Sequence, residues 1–408
     1  MALRDGGVKV ALAGRNVDKV KQFAKGILDE ITSTWGKERR TSVFREAGGL
    51  YEVVKADAKK PSEMLNLARS TKVLVACAGP YGRYGEASVK AACEGKCHYV
   101  DITGEVPWVQ RMARAYDAQA QKANITLCSF SGYDCVPAEL AMIKCQDEIE
   151  KNNNHMESLD LVFKSKGGGL PRGTIHTLLD GIEHGMSFKK RATGTPRPAK
   201  VVPPASYKSS VRSSLGLMHW ILPAYTLGRF TGPNFMSAVN VPVLYWSSHK
   251  SSKHKHPFQI RDRSAIGPAK SVFSLFGLIP TLIYEVVLFT AVFMLLLPPV
   301  RWLIRRFLKT YSYDGSSKGV VTLRAHGTSS AKGGGADFTM TLPGDPGIYA
   351  TGLLAAAVAF AILDNTALAK GSMPSGFVPP VAALNASGCL DYRLKKFGVE
   401  FSVKSKSS

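Results

Sequence analysis

Arg15 and Asn16 stand where a short apolar run, "KVALAG", gives way to a helical pattern. A guanidinium just beyond the second strand of a dinucleotide-binding fold can pair with a 2′-phosphate, whereas an aspartate there would hold the free ribose hydroxyls of NAD. The residue type therefore favours NADP(H) as the cofactor. The alternative interpretation is an ordinary solvated arginine at a helix start.

The loop "AGPYGRYG" carries a second group of candidates, because Gly79 and Pro80 end an apolar run just before another helical pattern. In a dinucleotide-binding fold this loop lies against the cofactor, where small residues leave room and the N–H groups of a helix start attract negative charge. Tyr81 either stacks on a ring or fills the core. The predicted cofactor-binding residues are Arg15, Asn16, Gly79, Pro80, Tyr81 and Gly82.

Two further strand ends carry groups suited to proton transfer. Asp101, Thr103 and Glu105 follow the run "CHYV", and Tyr133 lies in "SFSGYDC" after the run "ITLC". Acids at a strand end can perform acid–base chemistry or bind an amine, although Asp101 and Thr103 can equally cap the next helix. The predicted catalytic residues are Asp101 and Tyr133. The sequence shows no nucleophile elbow, hydrolase triad order or metal-ligand spacing.

The composition is that of a globular protein, with 45% hydrophobic and 21% charged residues among 408. A formal charge of +22 predicts attraction to phosphates, whether on nucleotides or anionic lipid headgroups. Nucleic-acid binding is disfavoured, because the basic stretches carry few interleaved aromatic residues and no recognised module. The sequence leaves open whether the chain is a monomer or a homodimer.

Alternating patterns organise the first 150 residues. Apolar runs at 9–14, 51–57, 72–79, 97–104 and 125–130 alternate with helical patterns near 17–32, 61–69, 84–95, 106–122 and 136–149. Short apolar strands separated by amphipathic helices are typical of βαβ units in a parallel sheet. We therefore predict a Rossmann-like domain over 1–150, with its ligand along the carboxyl edge of the sheet.

The remaining chain, 151–408, is predicted to form an α+β second domain. An antiparallel hairpin is expected from "GVVTLRAHGTSS" and "ADFTMTLPG", a buried helix from "GIYATGLLAAAVAFAIL", and a short helix and last strand at the end. Residues 188–270 are rich in Pro, Ser, Lys and Arg with weak periodicity. They are predicted to form long, partly disordered loops.

Residues 271–300 form the most apolar segment, with Glu285 as their one charged residue, and the basic, tryptophan-containing "RWLIRRFLK" follows. Prolines at 280, 298 and 299 interrupt the segment. The stretch between them is shorter than the about 20 residues that a helix needs to span a bilayer. A monotopic or re-entrant membrane segment is favoured over a true span. A buried core or dimer helix is the third interpretation.

The motifs "AGRN", "AGPYGRYGEASVKAACEGKCHYVDITGE", "SGYDCVPAEL" and "GFVPPVAAL…LKKFGVEFSV" resemble those of the saccharopine dehydrogenase-like oxidoreductases, a family that includes the trans-acting enoyl reductases of lipid biosynthesis. The resemblance runs from about Val8 to Val403. It implies a Rossmann NAD(P) domain, a second α+β domain and an apolar segment before the final strands. It also implies a hydrophobic or lipid-linked substrate at a membrane, lipid droplet or mitochondrion, and for bacterial relatives a role in glycolipid biosynthesis.

Family members carry a first strand and a glycine-rich loop ahead of "VALAGRN", and this sequence shows neither. By comparison with a complete βαβ unit, about 30 to 40 residues are expected upstream. A start placed too late is favoured over a degenerate paralogue. Two functions follow: an NADP(H)-dependent oxidoreductase in lipid metabolism, or a non-catalytic membrane or lipid-droplet protein with a vestigial Rossmann domain.

Overall fold

The computed structural model describes residues 8–35, 52–167, 169–183, 205–216, 222–251, 256–266, 275–313, 315, 318–368 and 373–406. Its first part alternates strands and helices, as the sequence predicts. The strands are β1 (Ala11–Gly14), β2 (Glu52–Lys55), β3 (Val73–Ala76), β4 (His98–Asp101) and β5 (Thr126–Cys128). The helices are α1 (Val17–Trp35), α2 (Pro61–Arg69), α3 (Tyr81–Gly95), α4 (Val106–Lys122) and α5 (Val136–Glu150).

These strands form two parallel sheets, which confirms the predicted βαβ organisation. β1 pairs with β2, while β3, β4 and β5 form the other sheet. A short strand from late in the chain, β12 (Gly376–Phe377), adds to the outer edge of β5. The sheet of β3, β4 and β5 thus recruits residues far beyond 150, and the domain boundary at that residue stays a prediction.

A seven-stranded, mainly antiparallel sheet dominates the second part of the chain. Its strands are β6 (Met156–Lys166), β7 (Ala224–Thr226), β8 (Arg229–Pro233), β9 (Gln259–Ala265), β10 (Val320–Ser329), β11 (Gly335–Pro343) and β13 (Glu400–Lys406). Their order in the sheet is β13-β11-β10-β6-β9-β8-β7. The predicted hairpin is confirmed as β10 and β11, and β6 pairs with β9 in parallel.

The prediction of long, partly disordered loops over 188–270 is wrong for the residues that the structure describes; residues 188–204 lie outside them. This region supplies three strands of the large sheet and two helices, α7 (Ala205–Ser214) and α8 (Ser237–Lys250). The pattern was misleading because the central strand β9 buries charged side chains. Asp262 is 6% exposed and accepts hydrogen bonds from the side chains of Asn234, at 2.7 Å, and Asn240, at 2.8 Å.

Six further helices are α6 (Arg172–Glu183), α9 (Leu275–Leu296), α10 (Pro298–Phe307), α11 (Thr351–Leu368), α12 (Pro380–Leu384) and α13 (Cys389–Lys396). Of these, α6, α9 and α11 line a large cavity. A single π-helical turn, Pro346–Ala350, leads into α11. Two apolar stretches, 275–296 and 346–367, are long enough to cross a membrane. The first four residues of the predicted apolar segment, 271–274, lie outside the described residues.

Candidate functional site

One cavity of about 2850 Å³ joins the two parts of the chain. It is lined by residues 8–15 and 70–80 of the parallel sheets and by α6, α9 and α11, of which α11 packs against β3 and β4. Sites for small molecules usually measure about 300–1,000 Å³. This cavity therefore has room for a dinucleotide and a second, apolar ligand.

Arg15 lies at the sheet end of the cavity, as the sequence predicts. It is exposed and lines the cavity, and within the described part of the chain no carboxylate pairs with it. Asn16 caps α1, because its side-chain oxygen accepts a hydrogen bond from the Lys19 N–H at 3.0 Å. Gly14 permits this tight strand-to-helix turn: a Cβ there would meet Val20 at 2.8 Å.

The start of α3 already holds a carboxylate from the chain itself. The Tyr81 N–H donates to Glu105 Oε1 at 2.8 Å, and the Gly82 N–H donates to Glu105 Oε2 at 2.9 Å. Burial raises the pKa of Glu105, while these two hydrogen bonds lower it. Gly82 is needed for this contact, since a Cβ there would meet Glu105 at 2.9 Å. The predicted anion site at this helix start is thus occupied by Glu105, a role that the sequence analysis missed.

Gly79 and Pro80 line the cavity, but the Tyr81 ring turns into the core. The Tyr81 hydroxyl donates to the Ala76 carbonyl at 2.8 Å, and the ring lies 5.4 Å from the Trp108 ring. Of the two interpretations of Tyr81, the geometry supports core filling. Cofactor contacts from the Gly79–Gly82 loop remain a prediction that rests on its backbone and small residues.

Asp101 is fully buried and ties two loops together. Its carboxylate accepts hydrogen bonds from the Thr103 N–H at 3.0 Å, the Ser129 hydroxyl at 2.8 Å and the Phe130 N–H at 3.2 Å. Burial raises its pKa to about 6, against the opposing effect of these bonds. Asp101 does not line the cavity. The geometry therefore gives it a structural role, joining the ends of β4 and β5, in place of the predicted catalytic one.

Asp134 is the ionisable group that best suits chemistry in the cavity, and the sequence analysis did not select it. It is half-buried, lines the cavity beside Gly104, and receives no hydrogen bond or ion pair from the described part of the chain. Burial raises its pKa to about 6. Tyr133, its predicted catalytic neighbour, also lines the cavity, with its ring against Phe163 at 5.9 Å. The signal that could have found Asp134 is its position in the loop between the end of β5 and the start of α5, next to Tyr133.

The far end of the cavity is apolar. Two helices face each other across it, α9 with Leu288, Phe289 and Val292, and α11 with small residues such as Ala355 and Ala359. A wall of this composition favours hydrocarbon over a polar ligand.

Helix α6 closes one side of the cavity through ion pairs to two other helices. Asp180 pairs with Arg83 of α3 at 2.8 Å and with Arg305 of α10 at 2.8 Å. Glu183 pairs with Arg305 at 2.5 Å and with Arg301 at 3.5 Å. The same acidic turn therefore contacts the start of the predicted cofactor loop and the helix that follows the apolar segment.

Comparisons with known proteins agree with this geometry. Residues 2–128 match the family model "Saccharopine dehydrogenase NADP binding domain". A human "Saccharopine dehydrogenase-like oxidoreductase" is 24% identical over 97% of this chain and 90% of its own length. A "Lipid droplet localized protein" of Caenorhabditis elegans is 30% identical over 45% of this chain, and a trans-acting enoyl reductase of Mycobacterium tuberculosis is 27% identical over 44%.

The last two alignments span only 40% and 39% of those relatives. Among solved structures, apo saccharopine dehydrogenase (L-Glu forming) from Saccharomyces cerevisiae superimposes with a TM-score of 0.51 over 100% of this chain and 96% of its own, at 14% identity. That likeness shows the fold. The expected cofactor is NADP(H).

The residues present fit one end of this cofactor. Arg15 and Lys59 both line the sheet end of the cavity and are exposed, and cations there suit the adenosine 2′-phosphate. The two α3 amides bonded to Glu105 are not available to the pyrophosphate. The resemblance predicted from the sequence is confirmed: residues 2–128 match the saccharopine dehydrogenase NADP-binding family model, and the chain is similar along nearly its whole length to a saccharopine dehydrogenase-like oxidoreductase.

Proposed function

We propose that this protein is an NADP(H)-dependent oxidoreductase that acts on a hydrophobic, lipid-derived substrate. The observation that carries the proposal is the isolated Asp134 carboxylate in a cavity whose sheet end presents Arg15 and whose other end is apolar. Asp134 supplies a group for proton transfer, and Arg15 supplies a contact for the cofactor. The apolar part of the cavity supplies space for a hydrocarbon chain.

When bound, NADPH supplies a hydride to an unsaturated carbon of the substrate and leaves as NADP⁺. Asp134 supplies the proton that completes the reduction, and solvent then reprotonates its carboxylate. A pKa of about 6 keeps a useful fraction of Asp134 protonated near neutral pH. Tyr133, the next residue along the cavity wall, orients the substrate beside that carboxyl group.

The place of action is a lipid surface: a lipid droplet, or the mitochondrial or endoplasmic reticulum membrane. Support comes from α9, on which Phe276 is 83% exposed and Val286 66% exposed, and from the name of the nematode relative. Such exposed apolar area is unusual on a protein surrounded by water. A homodimer is a further prediction, which the oligomeric state in solution would test.

The test is a fluorescence titration of the purified chain with NADPH and with NADH. The proposal predicts tighter binding of NADPH, and a 10- to 100-fold loss of NADPH affinity in Arg15→Ser with NADH affinity unchanged. The exposed Arg114, which lies outside the cavity lining, provides the matched control Arg114→Ser, with both affinities retained. Equal effects of the two substitutions would contradict the role of Arg15.

A non-catalytic lipid-surface protein is the second candidate, and one observation favours it. Glu105 fills the start of α3, where a dinucleotide fold would otherwise present amides to the cofactor. This candidate predicts that neither nucleotide binds in the titration while lipid vesicles still do.

A further inference from the structure

Helix α9 has an inverted distribution of polar and apolar residues. The stripe that faces the protein carries Gly277, Thr281 and Glu285, of which Thr281 is fully buried and Glu285 is 5% exposed. The opposite face carries large apolar side chains in the open, and Phe276 and Val287 are examples at 83% and 61% exposed. A helix in water shows the reverse arrangement. The outer face of α9 is therefore suited to a hydrocarbon environment.

The inner stripe fastens α9 to the large sheet. Gly277 touches β8 so closely that a Cβ would meet the Phe230 ring at 2.4 Å, and the Tyr284 hydroxyl donates to the Pro233 carbonyl at 3.0 Å. Further along, Leu288 and Leu296 line the cavity. Because the buried positions and the cavity lining together extend along the helix, we expect α9 to lie flat on a bilayer, with its outer face towards the lipid.

Helix α10 extends this apolar face and adds positive charge. Trp302 and Phe307 are each 60% exposed, and the Arg306 guanidinium lies 5.9 Å from the Trp302 ring centroid. Arg301 turns back and donates to the carbonyls of Leu295, at 3.0 Å, and Leu296, at 2.6 Å. Exposed tryptophan and arginine beside apolar residues suit the headgroup layer of a phospholipid surface.

The cavity reaches this lipid-facing side. Val292 and Leu296 line the cavity, yet they are also 44% and 56% exposed, so they form its rim. Leu288 and Phe289, one turn earlier, line it more deeply and are half-buried. The cavity lining from α9 is therefore apolar from its exposed rim, at Val292 and Leu296, to its deeper part, at Leu288 and Phe289.

We propose that the cavity is loaded directly from the lipid phase, through a mouth at Val292 and Leu296, and that its ligand is a long-chain lipid whose hydrocarbon tail occupies the space between α9 and α11. This inference rests on the proposed function for the chemistry at Asp134, but the mouth itself follows from α9. A lipid that enters here never exposes its chain to water, which removes the hydrophobic penalty of an aqueous transfer step.

The experiment follows energy transfer from tryptophan to hexadecanoic acid bearing a terminal pyrene, in a Trp302→Phe background. The part of the transfer that a further Trp108→Phe substitution removes is the signal of Trp108, which lines the cavity. The probe is delivered either from phosphatidylcholine–phosphatidylglycerol vesicles or from a cyclodextrin carrier. Two substitutions are matched: Val292→Asp at the rim and Val287→Asp on the outer face, both at exposed positions where folding is tolerant. The vesicle-bound fraction is measured for each by sedimentation.

The proposal predicts that uptake per vesicle-bound molecule falls at least 10-fold in Val292→Asp and less than 2-fold in Val287→Asp, and that vesicles load the unmodified cavity faster than cyclodextrin does. Equal uptake by the two variants, or equal rates from the two carriers, would overturn it. NADPH titration of the same unmodified samples separates the two proposals. Uptake of the probe without NADPH binding would contradict the oxidoreductase function and support lipid entry at the mouth. NADPH binding without uptake of the probe would support the function and contradict lipid entry.

Discussion

The two apolar stretches, residues 275–296 and 346–367, have the same length and similar composition, but they lie in opposite environments. In the most apolar part of the first, which is α9, 11% of the residues are buried, against 56% in the second, which contains α11. Helix α11 is enclosed by the parallel sheet, α13 and the π-helical turn. Hydropathy alone therefore does not distinguish a core helix from one that leaves its apolar side chains exposed.

The difference lies in which residues face the protein. Helix α11 turns Leu354, Val358 and Ile362 into the core, each at 0% exposed, and its polar Asp364 is held by a bidentate ion pair to Arg393. Helix α9 turns Thr281 and Glu285 inwards and leaves its large apolar side chains outside. Where the inward residues are the polar ones, the large apolar side chains are left exposed, which is unusual for a helix in water.

The largest expected effect comes from placing a charge on each helix. Leu354→Asp buries an unpaired carboxylate in the core and should cost at least about 4 kcal/mol of unfolding free energy. Val286→Asp, on the outer face of α9, should change the unfolding free energy by less than about 0.5 kcal/mol in detergent-free buffer but weaken vesicle binding. Chemical denaturation measures both. Equal destabilisation would contradict the different environments.

The next prediction concerns the cavity that the two helices share. Asp134→Asn removes the proton donor and should lower the rate of NADPH-dependent reduction by about 10²- to 10⁴-fold, with little change in NADPH affinity. In the unmodified chain the rate should rise as pH falls towards about 6, since the raised pKa of Asp134 sets its protonated fraction. A pH–rate profile that is identical in the variant would exclude Asp134 as the donor.

A smaller effect is expected from the polar stripe of α9. Glu285→Ala removes a buried carboxylate near Arg263 and should cost about 1–3 kcal/mol of unfolding free energy. Glu285→Gln, which keeps the shape, should cost less. If Glu285→Ala leaves stability unchanged while vesicle binding also persists, the inward stripe does not fasten α9 to the sheet.

The smallest effect is expected at the ion pairs between α6 and α10. Arg305→Gln breaks contacts to Asp180 and Glu183, and such partly exposed pairs contribute about 0–1 kcal/mol each. The exposed Arg306 provides the control Arg306→Gln, for which vesicle binding should fall without loss of stability. Thermal unfolding at low and high salt measures the first effect. If Arg306→Gln were the less stable of the two variants, Arg305 would not be the arginine of α10 that stabilises the contact with α6.

Much of the fold follows from local patterns. The alternation of strands and helices in the first 150 residues, the hairpin β10–β11 and the final helix and strand were all predictable, because their apolar residues recur at the period of the element that they form. The structure around β9 was not predictable in this way. Its buried Asp262 and Arg263 are stabilised by partners from distant residues, such as Asn234 and the carbonyl of Leu222, that no local pattern shows.

The candidate site was predictable only in part. Arg15, Gly79 and Tyr133 line the cavity as expected, because strand ends of a parallel sheet share an edge. The roles of the carboxylates depend on contacts across 20 to 30 residues of sequence: Glu105 binds the start of α3, Asp101 binds the loop after β5, and only Asp134 stays open to the cavity. Spacing alone does not tell these three acids apart.

The most direct test of the account is the depth of α9 in a lipid surface. In a Cys77→Ser background, spin labels are placed in turn at Phe276→Cys, Val287→Cys and Met294→Cys, three exposed positions along one line of the helix. Their depths in phosphatidylcholine–phosphatidylglycerol vesicles are read from the ratio of oxygen to nickel-complex collisions. A flat helix predicts the same shallow depth at all three labels. A label at Val287 at the bilayer centre, with the other two near opposite headgroup layers, would show a span and contradict the account.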